Sequence, residues 1–290
     1  MSFNPAAVRF LLLWSIFLVG ALLISILVSK YAGKNFTPRL WVWLAIVVLL
    51  SVSINFGGWY FFALTACVFA VSYWELSRLD GPIGFWRNIL ALSLALPWLA
   101  LAQLRPSPQW ISSALILFFV AVLYLAFFLK KGNPWNLFLF ALILGMGFSF
   151  WILLGRQGGA RLVVFVFSIT AIHDILAFFF GKLMGRLHIF PRLSPEKTLV
   201  GYLGGVFFAV LAAHVFRFAV PELNTFQVTA AGLLIALFGS AGDLLASKVK
   251  RIYGVKDFSS ILGLMGGMLD RCDSLLSAGW IFSIIFIDIF

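Results

Sequence analysis

Long apolar runs separated by short polar connections fill the chain. They fall at about 8–28, 40–55, 58–74, 88–104, 109–129, 135–154, 162–180, 199–219, 225–246 and 274–290. A helical span needs about 20 mainly apolar residues, and most of these runs meet that length. Lipid offers backbone N–H and C=O groups no partners, so such runs close their hydrogen bonds internally, as helices. The pattern predicts an all-α polytopic membrane protein of about ten transmembrane helices. The second and third runs are separated only by Phe56, Gly57 and Gly58, so they form either a tight hairpin or one broken element. The first run is too long for a signal-peptide core and lacks a small-residue cleavage site, so it reads as a membrane helix. No internal repeat is evident, and no low-complexity linker marks off a soluble domain.

Composition agrees. Of 290 residues, 63% are hydrophobic, 17% aromatic and 11% charged. A soluble domain carries about a quarter charged residues and could not hide this much apolar surface. These figures exclude a soluble enzyme, a disordered chain and a secreted disulfide scaffold. The two cysteines, Cys67 and Cys272, have neither metal-site nor redox-pair spacing. A net charge of +11 suits anionic lipid or phosphate partners. Sixteen of the 21 Lys and Arg residues lie in the odd-numbered connections, which by the positive-inside rule face the cytoplasm. Both termini then face outward.

The acids are distributed differently. Seven of ten fall between Asp174 and Asp273, while the first 170 residues hold only Glu75 and Asp80. Residues 1–160 therefore read as scaffold helices, and 161–290 as the region that carries chemistry at the cytoplasmic edge. Asp174 lies inside the seventh run, where a carboxylate costs about 2.5–3.5 kcal/mol on insertion scales and should face a cavity or a partner. A packing carboxylate paired to a nearby Lys is the plainer reading. Gly181 and Gly185 follow near the same face, allowing close helix approach or a ligand at the backbone. His173 points elsewhere on the helix and reads as structural. Ser194-Pro195 reads as a helix N-cap followed by proline at the first helical position, with Lys197 and Thr198 in the first turn. Such a helix start is a weak phosphate-site signal.

The richest stretch runs from Gly242 to Asp273. Asp243, Ser247 and Lys250/Arg251 share one helix face, and Asp270 and Asp273, three apart, can converge if a helix starts there. Carboxylates and cations at one membrane edge suit a hard divalent ion holding a polyphosphate. A solvated charge run explains the cations but not the acids interleaved with glycines.

Here the sequence resembles a known family. Ser247-x-x-Lys250-Arg251-x4-Lys256-Asp257 followed by Gly266-Gly267-x-x-Asp270-Arg271-x-Asp273 is similar to the signature of phosphatidate cytidylyltransferases (CDP-diacylglycerol synthases). Asp174-x-x-Ala177-Phe178-x-x-Gly181-x3-Gly185 and Ser194-Pro195-x-Lys197-Thr198-x-x-Gly201-x-x-Gly204-Gly205 resemble two further motifs, in the expected order. The motifs cover about the last 120 residues. The resemblance implies an enzyme of the bacterial inner membrane, its site facing the cytoplasm. It would join CTP and phosphatidic acid, or a similar lipid phosphate, into CDP-diacylglycerol and pyrophosphate with Mg²⁺. On that reading Asp243, Lys256, Asp270 and Asp273 are catalytic, and Asp243, Asp270 and Asp273 also hold the metal. Asp174, Ser194, Lys197, Thr198, Ser247, Lys250, Arg251 and Arg271 bind substrate. Membrane lipid is a partner, nucleic acid is not, and a homodimer is compatible.

The chain departs from the family pattern at Gly263 and Met265, which stand where Pro and His are usual, and at Val200 and Ala246, where Glu is usual. The glycines around Met265 predict a permissive loop in which histidine would fit and raise activity, or at least leave the protein folded and no less active. Loss of histidine need not stop the chemistry. A phosphate monoester, with a second pKa of about 6, is already mostly dianionic at neutral pH and needs no general base. The alternatives are a CTP-dependent polyprenol kinase, a cytidylyltransferase for another lipid phosphate, or an ion-coupled transporter with Asp174 and Asp243 in its path.

Overall fold

A computed structural model describes residues 8–9, 11–16, 45–53, 56, 58–79, 81, 84–104, 108–133, 135–157, 160–286 and 289. Its helices are α1 (Gly58–Ser77), α2 (Phe85–Leu104), α3 (Pro108–Phe128), α4 (Asn136–Gln157), α5 (Ala160–Met184), α6 (Leu199–Val215), α7 (Thr225–Tyr253) and α8 (Leu269–Phe286). Among the described residues six of them, α1, α2 and α4 to α7, are long and apolar enough to cross a membrane. With α3 and α8 they match eight of the ten predicted spans, and the chain is an all-helical integral membrane protein. The other two predicted spans lie largely outside the described residues; the parts that are described, 8–9, 11–16 and 45–53, are helical. The choice between a hairpin and a broken element around Gly57 also lies there.

Local chemistry sets the helix ends that matter for the site. At α7 the Asn224 side chain accepts from the Gln227 N–H and the Gln227 side chain accepts from the Asn224 N–H, a reciprocal capping box. Gly254, at φ +75°, closes the other end in the left-handed conformation. A small antiparallel hairpin, β1 (His188–Phe190) with β2 (Ser194–Thr198), joins α5 to α6.

That hairpin corrects the predicted helix start. Ser194 is not a cap, and Lys197 is not in a helical turn; both lie in a strand. Pro195, lacking an N–H, suits the extended segment as well as a first helical turn. The cap is Thr198, whose Oγ1 accepts from the Gly201 N–H at 3.2 Å.

α4 occupies the centre, buried on most of its surface, while α2 and α6 lie outermost. One core joins Phe150, Phe165, Trp280 and Phe282; a second joins Phe69, Ala95, Phe140 and Leu144. Phe85, Trp86, Phe127, Leu203 and Phe207 are exposed, as lipid-facing positions would be.

Contacts between connections show which share an end. Glu75 at the end of α1 meets the start of α8, Asn136 at the start of α4 donates to Tyr253 Oη, and Arg251 donates to the Leu193 carbonyl. The predicted odd-numbered connections around 78–84, 130–135, 185–198 and 254–268 thus gather at one end. At the opposite end, Arg161 pairs with Glu222 at 2.9 Å.

Candidate active site

Four elements bring a polar cluster together at the end that carries the hairpin. Lys197 of β2 pairs with Asp243 Oδ2 of α7 at 2.7 Å and lies 3.4 Å from the Ser240 carbonyl. Asp174 of α5 accepts from Ser274 Oγ of α8 at 2.7 Å through one oxygen; the other lies 3.0 Å from His173 Nδ1. The His173 ring reaches Ser240 Oγ at 3.2 Å through Nε2. Asp273, half-buried on α8, lies within electrostatic range of Asp243, Asp174, Lys250 and Arg271. The side chains of Asp174 and Asp243 keep 35% and 34% of their surface exposed, and that of Lys197 keeps 25%. These groups can meet a ligand.

A second constellation, at the start of α8, is closed. Asp270 Oδ1 pairs with Lys250 Nζ at 2.6 Å, while Oδ2 accepts from the N–H groups of Phe258 at 2.9 Å and Gly267 at 2.8 Å. The Asp270 side chain is 1% exposed and that of Lys250 11%. Glu75 reaches the same turn from α1. Its Oε1 accepts from Ser259 Oγ at 2.6 Å and the Met268 N–H at 2.8 Å, and its Oε2 from the Leu269 N–H at 2.8 Å. Two carboxylates thus satisfy the N–H groups of three consecutive residues that a helix start leaves without intrahelical partners.

The remaining predicted residues fall on both sides of this division. Ser247 is buried, with its Oγ 3.5 Å from Asp243 Oδ1. Arg251 is exposed and engaged with the carbonyls of Leu193 and Val255. The Arg271 Nε is buried with no hydrogen-bond partner among the described residues. Thr198 is buried and spends its hydroxyl on the α6 cap. Ser194 lies half-buried in β2. Lys256 is exposed and makes no ion pair with the carboxylates among the described residues.

Several expectations change. The three aspartates predicted to share a metal do not form one cluster, and no group of three or more His, Cys, Asp or Glu suited to a metal exists among the described residues. Asp270 folds back onto its own helix start and Lys250, so both its oxygens are in use. Asp243 and Asp273 still fit Mg²⁺, which is commonly held by one or two carboxylates plus substrate phosphate oxygens. Met265 is only 6% exposed and packs in the core, in a turn held by backbone bonds from Met265 to Leu262 and from Leu262 to Gly266. The loop is therefore not the permissive one predicted.

The family-like glycines are explained by packing. A Cβ on Gly201 would lie 2.5 Å from the Ala177 carbonyl and 2.8 Å from the Gly181 Cα, and one on Gly205 would lie 2.8 Å from the Ala177 Cβ. They let α5 and α6 touch. His173, read from sequence as structural, bridges Asp174 and Ser240, and Glu75, counted there only within the scaffold, holds the start of α8; an ionisable residue inside an apolar run is the usual signal of such a polar role.

Comparison with known proteins extends this picture. The model of the cytidylyltransferase family matches residues 37–290. The chain is 43% identical over 126 residues to the uncharacterized protein YnbB of Escherichia coli (strain K12), covering 43% of this chain and 42% of that protein. It is 37% identical over 133 residues to the phosphatidate cytidylyltransferase of Staphylococcus aureus (strain COL), covering 46% and 51%. Against the phosphatidate cytidylyltransferase of Staphylococcus epidermidis (strain ATCC 35984) it is 38% identical over 122 residues, covering 42% and 47%. The chain spans about half the length of the curated relatives it matches. It belongs to the cytidylyltransferase family.

Proposed function

We propose that this member of the cytidylyltransferase family is a membrane nucleotidyltransferase that joins CTP to a lipid phosphate, phosphatidic acid, yielding CDP-diacylglycerol and pyrophosphate. The observation that carries the reading is the open cluster of Asp174, Lys197, Asp243 and Asp273, drawn from four elements at one end of the bundle. The phosphatidate cytidylyltransferase names of two staphylococcal relatives support the same substrate class. On this reading the hairpin end faces the cytoplasm of a bacterial inner membrane, in line with the excess of Lys and Arg in the connections gathered there.

A phosphate oxygen of the lipid attacks the α-phosphorus of CTP. A P–O bond forms, the α–β bridging P–O bond breaks, and pyrophosphate leaves with that bond's electron pair. The nucleophile is already anionic, so the protein's task is to position two anions and offset their repulsion. Lys197, released from Asp243, supplies positive charge next to the reacting phosphates. Arg271, whose buried Nε has no hydrogen-bond partner among the described residues, supplies more. Asp243 and Asp273 would hold Mg²⁺, which when bound neutralises phosphate charge and orients the leaving group. Lys250 acts from outside the contact layer by holding Asp270.

The test is pyrophosphate release and lipid analysis with purified protein, CTP, Mg²⁺ and phosphatidic acid. Formation of CDP-diacylglycerol is expected. Phosphorylation of a polyprenol without pyrophosphate would replace this reading with a lipid kinase, and no CTP consumption with any lipid phosphate would reject it.

A further inference from the structure

We propose that Glu75 is a positioning residue, which sets where Asp273 stands by holding the first turn of α8; its part in turnover rests on the nucleotidyltransferase reading above. The carboxylate is 1% exposed, inside an apolar helix, where packing alone would favour an apolar side chain. Both of its oxygens are used, on Ser259 Oγ and on the N–H groups of Met268 and Leu269, at 2.6–2.8 Å. Asp270 takes the neighbouring Gly267 N–H. The start of α8 is thereby tied to α1 through Glu75 and to α7 through Lys250. Asp273 lies four residues beyond Leu269, about 6 Å along the helix. A tilt or slide of that turn therefore moves Asp273 relative to Asp243.

The contact is also sterically tight. A Cβ on Gly267 would lie 2.5 Å from Glu75 Oε1 and 2.8 Å from its Cδ, so the turn rests directly on the carboxylate. Glutamine at 75 keeps the shape but presents an amide donor to one of the N–H groups that Glu75 now accepts. The Gly267→Ala change disturbs the same contact from the other side and leaves the charge in place.

The experiment compares wild type, Glu75→Gln and Gly267→Ala as full-length purified protein. It reads kcat and KM for CTP, and the hydrogen exchange of amides 267–269 against those of the 188–198 hairpin. The expected result is a fall in kcat of at least about tenfold for both variants, with KM for CTP within about twofold, because a displaced Asp273 disturbs alignment for the reaction more than nucleotide affinity. Exchange at 267–269 should rise at least about tenfold while the hairpin is unchanged. A lower unfolding midpoint with wild-type kcat in the folded fraction would overturn the proposal, leaving Glu75 a plain staple. If wild type has no turnover with CTP, the nucleotidyltransferase reading falls and exchange alone decides. Faster exchange confined to 267–269 in the variants then upholds Glu75 as the holder of that turn, and unchanged exchange overturns it. Should Glu75→Gln fail to fold, Gly267→Ala carries both comparisons.

Discussion

Asp270→Asn separates the metal ligand predicted from sequence from the buried ion pair found in the structure. Asp270 uses Oδ1 for the Lys250 ammonium and Oδ2 for two backbone N–H groups. Asparagine has one acceptor oxygen and one NH₂ donor, so either orientation sets a donor against a donor. Losing a charge-assisted hydrogen bond costs about 1.5–3 kcal/mol. Lys250, 11% exposed, is also left without its counter-charge, and removing one member of a buried pair costs about 3–5 kcal/mol. The second range already contains the first, so about 3–5 kcal/mol is expected in total. That is a loss of roughly two to nearly four powers of ten in the folded-to-unfolded ratio. The assay is reversible unfolding in mixed detergent for Asp270→Asn, Lys250→Met and the double variant. The singles should each be strongly destabilised and the double should cost clearly less than their sum, because the stranded charge is gone. It should not return to wild type, since an asparagine oxygen turned to the N–H groups of Phe258 and Gly267 leaves its NH₂ buried against methionine without an acceptor. Near-wild-type stability in Asp270→Asn, with loss only of Mg²⁺-dependent turnover, would refute the reasoning and restore Asp270 as a ligand.

Three further outcomes follow. Gly201→Ala should destabilise by about 1–3 kcal/mol or more, because its Cβ would meet backbone atoms of Ala177 and Gly181 that can yield only if α5 and α6 separate; a cost under about 0.5 kcal/mol in unfolding would contradict this. Asp243→Asn should change stability by less than about 1 kcal/mol, its pair with Lys197 being partly exposed, yet lower turnover at least about a hundredfold, so an equal effect on both measurements would argue against a ligand-facing role. Met265→His should lower the unfolding midpoint and bring no gain in pyrophosphate release, because it buries a polar ring without a partner in the apolar core; a gain in rate would show that the side chain reaches the substrate.

The spans were legible because lipid imposes length and apolarity together, as the predicted 135–154 and observed Asn136–Gln157 illustrate. The shared face of Asp243, Ser247 and Lys250 was legible from helical spacing, and Ser247 does sit beside Asp243. Spacing could not say which aspartate bonds where. Asp270 lies in the first turn of α8, so its carboxylate folds back to the exposed N–H groups, whereas Asp273 lies one turn on and stays half-buried. Ser194-Pro195 misled because the same residue pair suits a helix start and a strand, and the antiparallel pairing with His188–Phe190 decided between them. Glu75 was invisible as a partner of α8 because 193 or 194 residues separate it from the N–H groups it accepts.

That separation in sequence has a consequence for biosynthesis. Chains emerge at about 5–20 residues per second, so α1 leaves the ribosome roughly 10–40 s before the turn that Glu75 holds. Throughout that interval the carboxylate has none of its three donors, because Ser259, Met268 and Leu269 have yet to be made. Glu75 stands two residues from the end of α1, close enough to the boundary to keep its charged head in water while the later helices insert. The contacts of the α5–hairpin–α6 unit, by contrast, join neighbouring segments and need nothing made later. The reactive end is therefore complete only when α8 arrives, because α8 carries Asp273 and the turn that Glu75 holds.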